Sequence, residues 1–437
     1  FLAVTLGTLF VFLTPPFAAP DEPAHFLRSI ELAHGVLFEQ AHLPADLKAF
    51  IDSSFGFAFA DEQIRQEKLQ TLYNLSAQMR AEPVIEFPIN RAVIYTPIVY
   101  IPAIIAHYIS SAAGLSVIEN LYLARLCTML AGILMLYAAI RIMPVMKWPL
   151  VLLFLFPAVL HIRSSVTTDT LTNGFIVIFI ATVLHYRASK RILGSKEIVW
   201  LTCLALLLAL SKTAYVFILL FLLILPVKQF RSTASYALML ALGIALPILA
   251  SAAWSMEITQ LYAAHPLPLD KLDVQNAVWS KPAYVNEAGQ IQWMLNNPVK
   301  FLVYFAAQCF LLPVFFLVEM ASLLLVPQLS ASPILMTVIF ISMYLLLDGS
   351  PSLELKLRER VFIALVTLAT FAFILFMMYI VATPVGNGMI IGIQGRYFLP
   401  IVPLLLLLFS APKLKRMNPA LLTVAMLGLV IATNGWV

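Results

Sequence analysis

Apolar residues recur along this chain in runs of about 15 to 25, separated by short charged stretches. That pattern constrains the fold more than anything else in the sequence. A helix crossing the hydrocarbon core of a bilayer needs about 20 consecutive apolar residues, and its backbone polar groups must satisfy one another because no water reaches them. Composition agrees. Of 437 residues, 62% are hydrophobic and 11% charged, against roughly a quarter charged in a soluble domain. Mean hydropathy is +0.94. A soluble globular fold is excluded, and so is a transmembrane β-barrel, whose strands alternate apolar with polar residues. The expected fold is all-α, a polytopic membrane bundle of about 11–13 helices.

Charge divides the chain further. Eleven acidic and six basic residues fall between 19 and 91, a net −5 that leaves +10 for the remainder. Lys and Arg collect in cytoplasmic loops, so residues 19–91 are expected outside, as a long first loop with amphipathic helices. A second polar stretch, 254–298, carries Trp254, Trp279 and Trp293 and is expected outside and folded at the interface. The whole chain, 1–437, reads as one integral membrane domain. The opening run FLAVTLGTLFVFL has no small-residue cleavage signature and reads as a retained first span, not a signal peptide. Thirteen apolar segments can be drawn. The basic clusters Arg141/Lys147, Arg187 to Lys196, Lys228/Arg231, Lys356 to Arg360 and Lys413 to Arg416 should all be cytoplasmic, which favours eleven crossings. One piece near 92–140 and one near 299–347, both interrupted by prolines, are then re-entrant or interfacial. Cys127, Cys203 and Cys309 are scattered through apolar segments, against a disulfide frame or a thiolate metal site.

Four groups of residues have the chemistry for a site. The first is PPFAAPDEPAHFLRSIELAHG (15–35). Pro23 suits a first helical turn with Glu22 as cap, and Gly35 suits the stop. Phe26, Ile30, Ala33 and Leu37 share one face; Asp21, His25 and Arg28 share another. The pair Asp21-Glu22 thus sits at a helix N-terminus, whose dipole favours ionised carboxylates. Such carboxylates accept a proton from a hydroxyl or hold a divalent cation, Mg²⁺ or Mn²⁺, although the residues do not require a metal. Plain capping of an amphipathic helix is the competing reading. The second group is HIRSSVTTDTLTN (161–173), where Arg163 and Asp169 border apolar segments. Charges at membrane depth face a cavity or a partner, so these two either line a site or only join helices. The third is GIQGRYFLPIVPL (392–404), with Arg396 at the head of a span, suited to bidentate phosphate binding, and Tyr397 beside it as an interfacial ring. The fourth is Lys212, which either snorkels to the surface or meets a lipid phosphate. The remaining histidines show no zinc spacing. No nucleic-acid role is expected.

One span, then an acidic pair in a long outer loop, then many spans: this layout resembles the GT-C superfamily of membrane glycosyltransferases, which take sugars from polyprenyl-phosphate carriers. The resemblance implies that Asp21-Glu22 match the superfamily's modified acidic motif, that Asp169 matches a later outer-loop acid, and that Arg396 serves the lipid phosphate. More narrowly, PPFAAPDEPAHFLRSIELAHG, IYTPIVYIPA (94–103), SVTTDTLTN (165–173) and QGRYFLPIVPLLLL (394–407) are similar, in order, to the bacterial domain-of-unknown-function family 2142. The chain departs at LLLVPQLSASP (323–333), which lacks a tryptophan–aspartate pair. The implied activity is inverting transfer of a sugar from a polyprenyl-phosphate donor to an envelope glycan or lipid acceptor. It implies a bacterial inner membrane with the site facing outward. The competing classes are a transporter or flippase, which would more often show inverted repeats, and a polymerase or ligase of lipid-linked glycans.

Overall fold

The computed structural model describes residues 1–54, 62–79, 83–270, 278–321, 353 and 355–409. Expectations that fall on 322–352 (the departure at 323–333 and the segment near 332–347) and on 410–437 (Lys413 to Arg416 and the last segment) lie outside the described residues.

The hydrophobic runs among the described residues fold as helices. The helices are α1 Leu2–Leu13, α2 Glu22–Ala33, α3 Ala45–Ser53, α4 Glu62–Gln78, α5 Ile101–Ala113, α6 Val117–Ile142, α7 Lys147–Leu155 and α8 Pro157–Arg163. They continue with α9 Asp169–Ser189, α10 Ser195–Ser211, α11 Thr233–Leu240, α12 Leu246–Ala264, α13 Glu287–Asn296, α14 Pro298–Ala321, α15 Leu357–Val381 and α16 Val402–Phe409. Among the described residues sheet is confined to two short pairs: β1 His42–Pro44 antiparallel to β2 Val84–Glu86, and β3 Leu269–Asp270 parallel to β4 Lys281–Pro282. The chain is an all-α polytopic membrane protein. Among the described residues four helices are long and apolar enough to cross a membrane: Val117–Ile142, Asp169–Ser189, Thr233–Ala264 and Leu357–Val381.

Several segments differ from the simple span reading, each for a local reason. Pro97 opens a 3₁₀ turn, Pro97–Tyr100, and Pro102 sits in the first turn of α5, so the 92–113 segment ends as a helix of 13 residues. Between the first loop and Arg141 that leaves α6 as the full-length span. The 148–163 segment breaks at Phe156, which is extended because Pro157 follows it. Residues 213–227 form a 3₁₀ helix, Thr213–Ile224, whose steeper rise of about 2 Å per residue covers more depth per turn. The Thr233–Ala264 helix runs on through a π turn, Ala241–Ala245, and past Trp254. The second polar loop therefore begins after Ala264, not at 254.

The chain packs as two compact units. One comprises 1–134, 161–171 and 251–283; the other comprises 135–160, 172–250 and 284–437. In the first unit, Phe26, Leu27, Phe50, Phe87 and Leu121 are buried in one cluster. Tryptophans tie its loops down: the Trp254 indole donates to the Ile94 carbonyl at 2.9 Å and the Trp279 indole to Asp52 at 2.7 Å. The second unit buries Phe179, Leu201, Phe221, Ile363 and Leu407 in a larger apolar core. Arg187 of α9 pairs there with Glu359 of α15 at 2.7 Å, which joins two of the basic clusters.

Candidate functional site

Helix α2 starts one residue earlier than its sequence suggests. Asp21, not Glu22, stands at the cap position, and its side chain makes no cap bond; Pro23 lies in the first turn as expected. The Asp21 backbone is left-handed, φ 62°, a conformation uncommon outside glycine. The helix ends at Ala33, and Gly35 follows with φ +81°, the left-handed stop that glycine allows. The polar face of α2 is not laid on a surface. Every residue from Glu22 to Glu31 is buried, so each polar side chain needs an internal partner.

Glu22 has the most complete set. Arg125 of α6 binds it bidentately, Nε to Oε1 at 2.8 Å and Nη2 to Oε2 at 2.6 Å. Both side chains are wholly buried. The other N–H groups of Arg125 donate to the carbonyls of Val11, Thr14 and Pro15 at 3.1, 2.7 and 2.9 Å, so all five donors are used. Glu22 Oε1 also accepts the Val166 N–H at 3.0 Å. One carboxylate thereby fastens α2 to α6, to the chain after α1, and to the segment that carries Arg163 and Asp169. Both Glu22 oxygens are committed to this clamp, whereas Asp21, next in the chain, is half-buried.

The rest of α2 follows the same logic. His25 Nδ1 is 2.8 Å from the Tyr100 hydroxyl. Arg28 donates to Glu31 at 3.1 Å and to the Leu37 carbonyl at 2.8 Å, and its Nε has no partner. Burial pushes the Glu31 carboxyl up to about 7, against the opposing pull of Arg28. Ser29 Oγ meets His107 Nε2 at 2.7 Å, and His107 Nδ1 meets Asn120 Oδ1 at 2.8 Å. Arg163 and Asp169 are both buried, in a stretch where Ser164, Thr167 and Thr168 are buried as well. Gly132 of α6 makes room for them: a Cβ there would lie 2.5 Å from Thr170 Cγ2 and 3.3 Å from Arg163 Cδ.

The sequence-predicted residues thus fall into two sets. Asp21, Glu22, His25, Arg28, Arg163 and Asp169 belong to the first unit; Lys212, Arg396 and Tyr397 belong to the second. Within the second set the three residues do meet. Lys212 Nζ lies 5.3 Å and Arg396 Cζ 5.4 Å from the centre of the Tyr397 ring. The Tyr215 hydroxyl donates to the Tyr397 carbonyl at 2.9 Å and fixes that backbone. Arg396 is buried in the 3₁₀ helix Gly395–Ile401 rather than at the head of an α-helical span. Two cations on one ring attract an anion, phosphate included, more strongly than either alone.

Among the described residues no group of three or more His, Cys, Asp or Glu side chains is placed to hold a metal. With Glu22 taken by Arg125, the Asp21-Glu22 pair does not fit a divalent cation, and no step below uses one. Arg125, the central residue of the first set, is absent from the sequence-level candidates. Its signal was a lone charge inside the apolar segment 121–140.

A family profile described as a predicted membrane protein, DUF2142, matches residues 4–405. No curated protein and no solved structure matches the chain.

Proposed function

From the premise that this chain belongs to the DUF2142 family of predicted membrane proteins, we propose that it is a GT-C-type glycosyltransferase of a bacterial inner membrane. It moves a sugar from a polyprenyl-phosphate donor to an envelope glycan or lipid acceptor on the extracytoplasmic side. The observation that carries this reading is Asp21. It stands at the cap of α2, beyond the first apolar helix, in a left-handed backbone next to the Arg125-clamped Glu22. Strained backbone held by an over-determined surrounding is characteristic of functional positions. Glu22 is then a positioning residue and Asp21 the catalytic carboxylate.

The chemistry is one displacement. Asp21 accepts the proton of an acceptor hydroxyl as its oxygen attacks the anomeric carbon. The bond from that carbon to the phosphate oxygen breaks, and the phosphate departs with the electron pair. One displacement inverts the anomeric configuration. Within the second unit, Lys212 and Arg396, gathered on Tyr397, form a cationic group suited to a lipid phosphate, as cations are where negative charge develops. His25, Arg163 and Asp169 order the first unit around Asp21.

The test is transfer from a panel of polyprenyl-phosphate sugars by purified, lipid-reconstituted protein. Asp21→Asn is expected to abolish transfer with an unchanged melting temperature. Arg396→Ala and Lys212→Ala are expected to raise the KM for donor about tenfold each or more, the scale of a lost charge-assisted contact. Full transfer by Asp21→Asn overturns the assignment of the base. No transfer from any donor by the wild-type protein overturns the enzyme reading.

A further inference from the structure

A cavity of about 550 Å³ lies in the second unit, built from elements that take no part in the proposed transfer. The C-terminal end of α9 contributes Arg187 and Lys190, and the turn after the Thr213–Ile224 helix contributes Lys228 and Gln229. The N-terminal end of α15 contributes Lys356, Arg358 and Glu359. Three of the five basic clusters therefore meet in one hollow. Arg187 is neutralised by Glu359, at 2.9 Å from Nε and 2.7 Å from Nη2. Among the described residues the side chains of Lys190, Lys228, Lys356 and Arg358 form no ion pair. Four like charges around one hollow repel one another unless an anion sits among them. The positive end of the α15 dipole points the same way.

Two further features narrow the ligand. Leu223 and Phe362 give the cavity an apolar wall, and Leu223 is 40% exposed, so a hydrocarbon tail can leave along it. Gln229 is buried, donates its amide to the Tyr186 carbonyl at 2.9 Å, and keeps its Oε1 without a partner. An unpaired buried carbonyl oxygen calls for a donor. We propose that this cavity binds a glycerol-phosphate headgroup of an anionic membrane lipid: Lys190, Lys228, Lys356 and Arg358 take the phosphate, and Gln229 Oε1 accepts a headgroup hydroxyl. Basic pockets between membrane helices on the cytoplasmic side are suited to such headgroups, and these clusters carry the charge bias of cytoplasmic loops.

Melting of the purified full-length chain in a neutral detergent tests this. The added probes are dioctanoyl phosphatidylglycerol, dioctanoyl phosphatidylcholine, and water-soluble glycerol 3-phosphate. Phosphatidylglycerol is expected to raise the melting temperature saturably, with phosphatidylcholine and glycerol 3-phosphate inert at equal concentration. In the Lys228→Ala/Lys356→Ala/Arg358→Ala variant, which keeps the Arg187–Glu359 pair, half-saturation should need roughly a hundredfold more lipid, about fivefold per charge removed. Should that variant not melt cooperatively, Lys228→Glu alone, at an exposed position, carries the test with a shift of about tenfold or more. No stabilisation by phosphatidylglycerol, or the same half-saturation in the variants, overturns the proposal. Equal stabilisation by glycerol 3-phosphate overturns the lipid and assigns the cavity to a soluble phosphate.

Discussion

Arg125 and Glu22 are both wholly buried, and a pair of charges taken out of water is worth keeping only if its hydrogen bonds are complete. Here they are complete, so removing one partner strands the other. Arg125→Met should cost about 3–5 kcal/mol, the range for an uncompensated buried charge, and Glu22→Gln/Arg125→Met should recover part of that loss. Thermal melts of both variants in detergent decide it; a double variant no better than Arg125→Met alone would show that the three carbonyls bonded to Arg125 besides its ion pair, not the charge, set the cost. Glu31 behaves differently, because burial outweighs its Arg28 partner and raises its pKa from the ordinary 4.5 to about 7. Below 4.5 the carboxyl is protonated in folded and unfolded chains alike and costs nothing. Between 4.5 and about 7 the unfolded chain releases the proton while the folded one keeps it, so stability falls as pH rises, and the loss is full above about 7. Wild-type protein should therefore lose more melting temperature than Glu31→Gln between pH 4.5 and 8, since the amide keeps an acceptor for Arg28 but does not titrate. Parallel pH profiles for the two proteins would contradict this.

At the scale of helices, what was legible in the sequence is what the hydrocarbon core enforces. The apolar runs that become α6, α9 and α15 are visible because every residue in a span must be compatible with lipid or with other helices. Pro23 and Gly35 likewise mark α2 by backbone chemistry alone. The clamp on Glu22 was not legible, because Arg125 is 103 residues away in sequence and spacing arguments reach only one turn or one strand pair. The same holds for Lys212 and Arg396, which meet on Tyr397 from two distant segments. Nor does composition distinguish the 3₁₀ helix Thr213–Ile224 from an α-helical span, since both are uniformly apolar. Where two elements press together, a glycine carries the information. Gly132 faces Thr170 and Arg163, so Gly132→Ala must push the start of α9 away from α6. Overpacking of this kind costs about 1–3 kcal/mol, and transfer should fall with it because Arg163 and Asp169 move. A Gly132→Ala protein with wild-type melting temperature would mean that the Thr170 side chain gives way freely.

For the whole molecule the question is which end faces which side of the membrane, and charge is the force that sets it. The first loop is acidic and the connections at 187–196, 228–231 and 356–360 are basic; short loops rich in Lys and Arg stay on the cytoplasmic side during insertion. The folded chain adds a consistency requirement. Arg187, Lys228 and Arg358 line one cavity, so the three connections share a side whichever side that is, and the net displacement of the helices between them must be zero. Orientation then reduces to one binary choice that two labels decide. In a chain with Cys127→Ala, Cys203→Ala and Cys309→Ala, a single cysteine at Gln63, exposed on α4, or at Lys196, exposed on α10, reports the side of its own loop. In sealed right-side-out vesicles a membrane-impermeant maleimide should modify Gln63→Cys at once and Lys196→Cys only after permeabilisation. The reverse pattern would place Asp21 on the cytoplasmic side, where the sugar donor would have to be supplied from within the cell. Equal labelling of both cysteines in sealed vesicles would require an even number of crossings between residues 63 and 196, against the odd number that the charge distribution demands.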